Sequence, residues 1–158
     1  MKTATNWSSQ WLAITGLVMA AAQAEDRTIQ FLSKVRSVEV GKAQSSVVGD
    51  GGRARGLYQF HSAAWTDVSS RRRILGQPIV SFRQGAHDEY WSALYAIDHT
   101  HWLEENIHKK FGWCSEQMLY AAWNAGLSRV LNSKGRLENL PAITQRGCRK
   151  FSAVRYYP

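Results

Sequence analysis

The sequence predicts an all-α domain, and three observations carry that prediction. Apolar residues recur at spacings of three and four along several stretches, as they do in helices that bury one face. No stretch alternates apolar and polar residues in the way a half-buried strand does. Glycines and prolines gather between the periodic stretches, where they end helices and permit turns.

The elements follow in order. From Asp26, a candidate helix cap, Ile29, Leu32, Val35 and Val38 recur at three-residue spacing and lead to Glu39 at the helix end. Gly41, Gly49, Gly51, Gly52 and Gly56 make the next segment a turn region. A short helix starts near Tyr58 and carries Phe60, Ala63, Ala64 and Val68. Residues 71–85 are mixed and broken by Gly76, Pro78 and Gly85. A long helix runs from about Ala86 to Lys110, with Trp91, Leu94, Tyr95, Ile97, Trp102 and Leu103 on a broad apolar face, and Gly112 ends it. A further helix covers about Ser115 to Ala125, and Leu127 to Leu131 form a turn or short helix. From Pro141 onward the pattern is weak.

The 158 residues suit one domain preceded by a leader. Lys2, the apolar stretch Trp11–Ala22 and the small-x-small triplet Ala22-Gln23-Ala24 read as an export signal over residues 1–24, cleaved after Ala24. An uncleaved anchor is the alternative, although the apolar run falls short of the roughly 20 residues of a spanning helix. The remaining residues 25–158 are expected to be a secreted or periplasmic domain with no stable membrane span.

The chain has a net charge of +8, which suits an anionic partner such as the cell-wall mesh. Nucleic acid would also suit it, but the basic residues are scattered. The run Arg71-Arg72-Arg73 reads best as solvated surface. Cys114 and Cys148 form an even count, and an oxidising compartment would favour a disulfide between them. Such a bridge would contribute about 3–4 kcal/mol in the chain-entropy picture. Two buried free thiols are the other reading. His99, His101 and His108 lack ligand geometry, since His99 and His101 point to different helix faces. No metal or cofactor is expected.

The stretches with chemical content are Ser37-Val38-Glu39, Val48-Gly49-Asp50-Gly51-Gly52, Gly56-Leu57-Tyr58-Gln59-Phe60 and Ala121-Ala122-Trp123-Asn124-Ala125-Gly126. A carboxylic acid donates a proton near neutral pH only where poorly hydrated surroundings raise its pKa. Glu39, following an apolar stripe, is the candidate for that role. Asp50, eleven residues on, is the candidate for a second carboxylate that activates water. An Asp between glycines is equally a turn residue that bonds its own backbone.

At these residues the sequence resembles the lytic-transglycosylase and goose-type lysozyme superfamily. Val38-Glu39 resembles that family's V-E-S motif, Gly56–Gln59 its G-L-M-Q motif, and Ala122–Gly126 its A-Y-N-A-G motif. The three occur in the family's order over about residues 28–131. The resemblance implies a lysozyme-like helical domain with a deep substrate cleft. It further implies a muramidase that cuts the MurNAc–GlcNAc β-1,4 bond of peptidoglycan glycan strands, with Glu39 as general acid. Gly49-Asp50-Gly51 resembles the G-D-x-G segment of goose-type lysozymes, whose Asp positions the attacking water. Lytic transglycosylases commonly carry a Ser near this point and leave a 1,6-anhydro product through the sugar's own C6 hydroxyl. Asp50 tilts the expectation toward hydrolysis.

Tyr58, Gln59, Trp123 and Asn124 carry over as substrate-cleft residues, with core packing an equal alternative for Tyr58. Trp123 departs from the family's Tyr, and Val40 from its Ser. An indole has one N–H donor and a larger face than a phenol, so Trp123 departs from the family in its hydrogen bonding and keeps the role of a flat platform. A non-catalytic wall-binding module on the same fold, a chitin-directed relative and a nucleic-acid binder are the competing readings. The expected form is a monomer without a nucleic-acid partner.

Overall fold

The computed structural model describes Gln23 and residues 25–41 and 48–155. The expected signal segment, residues 1–24, lies outside the described residues apart from Gln23. Helix α1 covers residues 25–39. Three two-residue strands follow, β1 (Val48–Gly49), β2 (Ala54–Arg55) and β3 (Phe60–His61), with a 3₁₀ turn at Asp50–Gly52 between the first two. The rest is helical: α2 (Ser62–Ile74), α3 (Phe82–Gly85), α4 (Glu89–Phe111), α5 (Glu116–Ala125), α6 (Leu127–Asn132), a 3₁₀ turn at Leu137–Asn139, and α7 (Ala142–Ala153). The protein is thus mainly helical, with one small antiparallel sheet in the order β1-β2-β3. None of the described helices is long and apolar enough to cross a membrane.

Helix α1 buries Thr28, Phe31, Leu32 and Val35, whereas Ile29 is 49 % exposed. The expected row in strict threes is therefore corrected at its first member. Steps of three drift about 60° per step around a helix of 3.6 residues per turn, and only a mixture of threes and fours stays on one face. Asp26 lies inside this helix rather than capping it, and accepts a hydrogen bond from Gln30 Nε2 at 2.9 Å.

Helix α4 is the central strut. Its buried residues, Ser92, Tyr95, Ala96, His99, Thr100, Leu103 and Ile107, follow the three–four rhythm along one side. Asp88 caps its start by accepting from the Trp91 backbone N–H at 2.9 Å. Gly112, at φ 79°, ends it in the left-handed conformation. Helices α2, α3, α5 and α6 pack on α4, and α7 packs on α5. Trp65 of α2 stacks on Tyr95 with ring centroids 3.8 Å apart, and Tyr120 of α5 stacks on Phe151 of α7 at 4.7 Å.

Further expectations are corrected. The small sheet was not anticipated, and α2 begins at Ser62 rather than near Tyr58, because Phe60 and His61 pair with Arg55 and Ala54. The C-terminal segment is a full helix. Its buried face, Thr144, Cys148 and Phe151, has correct helical spacing but only one strongly apolar member. Arg72 is buried, not solvated: it pairs with Asp98, donates from Nε to the Pro78 carbonyl at 2.8 Å and sits over the Tyr95 ring. Cys114 and Cys148 are free thiols. Cys114 Sγ faces the Ser115 carbonyl and Cys148 Sγ the Gln117 carbonyl, and burial raises the pKa of both.

Candidate active site

The last turn of α1 delivers Glu39. Val35, one turn earlier on the same face, is fully buried and draws that face inward. The Glu39 carboxyl is half-buried, and Tyr120 Oη donates to its Oε1 at 3.0 Å. Asn124 also hydrogen-bonds it, and the charges of His61 and Lys150 act on it. Burial raises the Glu39 pKa above the ordinary 4.5. The two hydrogen bonds and the two positive charges pull it down, but burial is the larger effect. The group therefore keeps its proton to higher pH than a surface glutamate and has two fixed neighbours to orient it.

Tyr120 and Asn124 lie four residues apart on α5, so both point the same way. Burial and the adjoining Glu39 carboxyl raise the Tyr120 pKa, which keeps the phenol a donor. Helix α7 opens the room it needs. A methyl group at Gly147 would come within 3.0 Å of Tyr120 Oη and 3.1 Å of its ring, so glycine stands mid-helix despite its low propensity there.

The small sheet supplies the opposite wall. Asp50 lies in the turn between β1 and β2, with φ 48°, and is exposed. Arg53 Nη2 donates to its Oδ1 at 2.9 Å, and His61 Nε2 is 3.5 Å from its Oδ2. Gln59 lies in the turn between β2 and β3, also with φ 48°, and its Nε2 donates to the Gly56 carbonyl at 2.8 Å. Two glycines are required here. A Cβ at Gly49 would fall 2.0 Å from Gln59 Oε1, and one at Gly56, itself at φ 74°, would fall 1.8 Å from the Ala86 carbonyl oxygen.

Glu39, Asp50, Gln59, His61, Trp123, Asn124 and Arg129 all border one hollow of about 350 Å³. Gln59, His61, Trp123, Asn124 and Arg129 also border an adjoining hollow of about 540 Å³, which continues past His99 and Trp102. The two form one groove. Trp123 stands where they meet, held edge-on by Phe60 at 5.3 Å and His99 at 5.0 Å. The His99 pKa is pushed down to about 4, by burial and then by the Arg71 charge, so its ring is neutral at physiological pH. A separate hollow of about 490 Å³ between α2 and the Ile79–Phe82 segment has no acidic lining residue. A smaller hollow of about 180 Å³ is lined by Glu104 and Glu116, but the acid whose pKa burial raises is Glu39, so acid–base chemistry points to the groove that holds it.

Five of the six expected catalytic and cleft residues meet at this groove: Glu39, Asp50, Gln59, Trp123 and Asn124. Tyr58 does not border it. That ring packs edge-on against Trp123 at 6.4 Å and joins the shell around the core. Tyr120, His61 and Arg129 are site residues that the motifs did not single out. Tyr120 was findable, since it stands one helical turn before Asn124. His61 and Arg129 carry no sequence signal of their own. Among the described residues, no three His, Cys, Asp or Glu side chains converge as a metal site. No family model matches the chain, and no characterised protein or solved structure matches it either.

Proposed function

We propose that this chain is a peptidoglycan muramidase of lysozyme-like fold, cleaving the MurNAc–GlcNAc β-1,4 bond with Glu39 as its general acid. The observation that carries the reading is a carboxyl whose pKa is raised by burial, oriented by Tyr120 and Asn124 in the wall of an extended groove. The bridging oxygen of a glycosidic bond is a poor leaving group until it is protonated, and such a carboxyl can supply that proton. Trp123 gives the groove a flat aromatic face, and Gln59, Asn124 and His61 give it polar edges.

Two routes complete the reaction. In the first, water attacks the anomeric carbon as the C–O bond breaks, and Asp50 takes the water's proton, leaving a reducing sugar. In the second, the C6 hydroxyl of the same sugar attacks, and its proton returns to the Glu39 carboxylate, leaving a 1,6-anhydro ring. Asp50 on the groove wall favours the first.

Mass spectrometry of digested, purified sacculi tests both. The two products differ by one water. Glu39→Gln is expected to lower turnover by roughly 10²–10⁴-fold, the usual worth of a general acid. Full activity in that variant would refute the assignment. Asp50→Ala is expected to abolish the reducing product. Retention on insoluble wall with no fragments released would instead favour a binding module.

A further inference from the structure

The groove branches, and Arg129 stands at the branch. This residue borders the 350 Å³ hollow with Glu39, the 540 Å³ hollow beyond Trp123, and a third hollow of about 290 Å³ lined by Asn132, Ser133, Asn139, Leu140 and Pro141. It is the one residue common to all three. Helix α6 holds it there: Val130 is fully buried, which fixes the helix and leaves the neighbouring Arg129 exposed.

Among the described residues the guanidinium has no ion-pair or hydrogen-bond partner. Among the described residues, the ion pairs are Lys34–Glu116, Arg53–Asp50, His61–Asp50 and Arg72–Asp98, and no side-chain hydrogen bond engages Arg129. The cations that act on Glu39 are His61 and Lys150, not Arg129. Its charge is therefore not spent on tuning the acid, while of the other acids lining the groove Asp50 already has Arg53 and His61 beside it and Asp67 acts on Arg71. What remains is a planar, permanently charged fork on an exposed residue that borders three depressions, a group matched to a carboxylate.

We propose that Arg129 is a specificity-determining residue that reads a carboxylate on the side branch of the glycan, and that the third hollow receives that branch. The inference rests on the muramidase reading. A linear polymer of GlcNAc would fill the two hollows joined at Trp123 and leave the third empty. A muramyl strand carries a 3-O-lactyl group, and the branch needs a place to leave the groove. The carboxylate has two sources, the lactyl group itself in a peptide-free strand or the acidic side chains and terminus of an attached peptide. Asn132, Ser133 and Asn139 offer polar groups to a peptide and Leu140 an apolar contact.

The test measures binding by calorimetry in the Glu39→Gln background, so that ligands are not cleaved, with and without Arg129→Gln. The ligands are muramyl oligosaccharides carrying peptide, the same oligosaccharides stripped to the lactyl carboxylate, and chitooligosaccharides of equal length. Arg129→Gln is expected to weaken binding of at least one carboxylate-bearing ligand by about tenfold more than it weakens the chitooligosaccharide, the worth of one charged hydrogen-bonding pair. Loss confined to the peptide-bearing ligand assigns the peptide as the source, loss confined to the stripped ligand assigns the lactyl carboxylate, which is an amide while peptide is attached, and loss on both means that Arg129 reads whichever carboxylate the branch carries. Arg129→Lys, which keeps the charge without the fork, is expected to retain part of the preference. Equal losses on all three ligands would overturn the inference while leaving the muramidase reading intact. If the parent binds none of the three, the muramidase reading fails, and this inference fails with it.

Discussion

Replacing Tyr120 by Phe removes one oxygen from the site and leaves the ring that stacks on Phe151. The lost bond is the 3.0 Å donation to Glu39 Oε1. Its worth depends on the charge of its acceptor: about 0.5–1.5 kcal/mol against a neutral carboxyl and about 1.5–3 kcal/mol against a carboxylate. The variant is therefore expected to be destabilised by about 1 kcal/mol at about pH 4 and by about 2 kcal/mol at about pH 8. Urea unfolding at the two pH values measures this. Activity moves in a linked way. Glu39 must be protonated to act, so activity is present below its pKa and lost as pH rises through it. The Tyr120 bond favours the carboxylate and lowers that pKa. Its removal moves the alkaline limb of the kcat/KM profile to higher pH, even as the loss of orientation lowers the maximum. A limb that stays in place or moves down, together with a destabilisation that is the same at both pH values, would refute the reasoning.

Three other outcomes are expected. The Glu39 pKa is raised above 4.5 in the fold, so stability from this group is present below about 4.5 and is lost as pH rises through the folded-state value. Glu39→Gln should accordingly melt higher than the parent at neutral pH, with the gap closing below that point; a lower melting temperature at all pH values would contradict it. Gly56→Ala places a methyl 1.8 Å from the Ala86 carbonyl oxygen in a left-handed conformation. It should cost about 3 kcal/mol or more, with at least about 1–2 from the backbone alone; a denaturant midpoint within error of the parent would contradict this. Alkylation of the unreduced, denatured protein should label both Cys114 and Cys148, and reductant should leave the melting temperature unchanged.

The helices were legible because burial of one face imposes a period: α5 carries it in Met118, Leu119 and Tyr120, and α4, although Ser92, His99 and Thr100 share its buried face, carries it in Tyr95, Leu103 and Ile107 over a long run. Helix α7 was not, because Thr144 and Cys148 hold two of its three buried positions and Gly147 serves Tyr120 rather than helix propensity. The sheet left no pattern at all: two-residue strands are too short to alternate, and their pairing depends on the left-handed turns at Asp50–Gly52 and at Gly56 and Gln59. In the site, Glu39, Asp50, Gln59, Trp123 and Asn124 could be read from short motifs. The bond from Tyr120 could not, because it joins residues 81 positions apart in the chain. Nor could the position of Arg129, which only the meeting of three depressions makes conspicuous. Tyr58 shows the reverse case, a motif residue whose ring the fold packs against the back of Trp123.

The central claim is that burial holds a proton on Glu39. A carbon-13 NMR titration of the glutamate side-chain carboxyls measures this most directly, with Glu39→Gln identifying the resonance. The account predicts a midpoint above 4.5 for that one carboxyl. A midpoint at or below 4.5 would mean that the hydrogen bonds and nearby positive charges outweigh burial, and Glu39 would then be ionised where the proposed reaction needs it to donate.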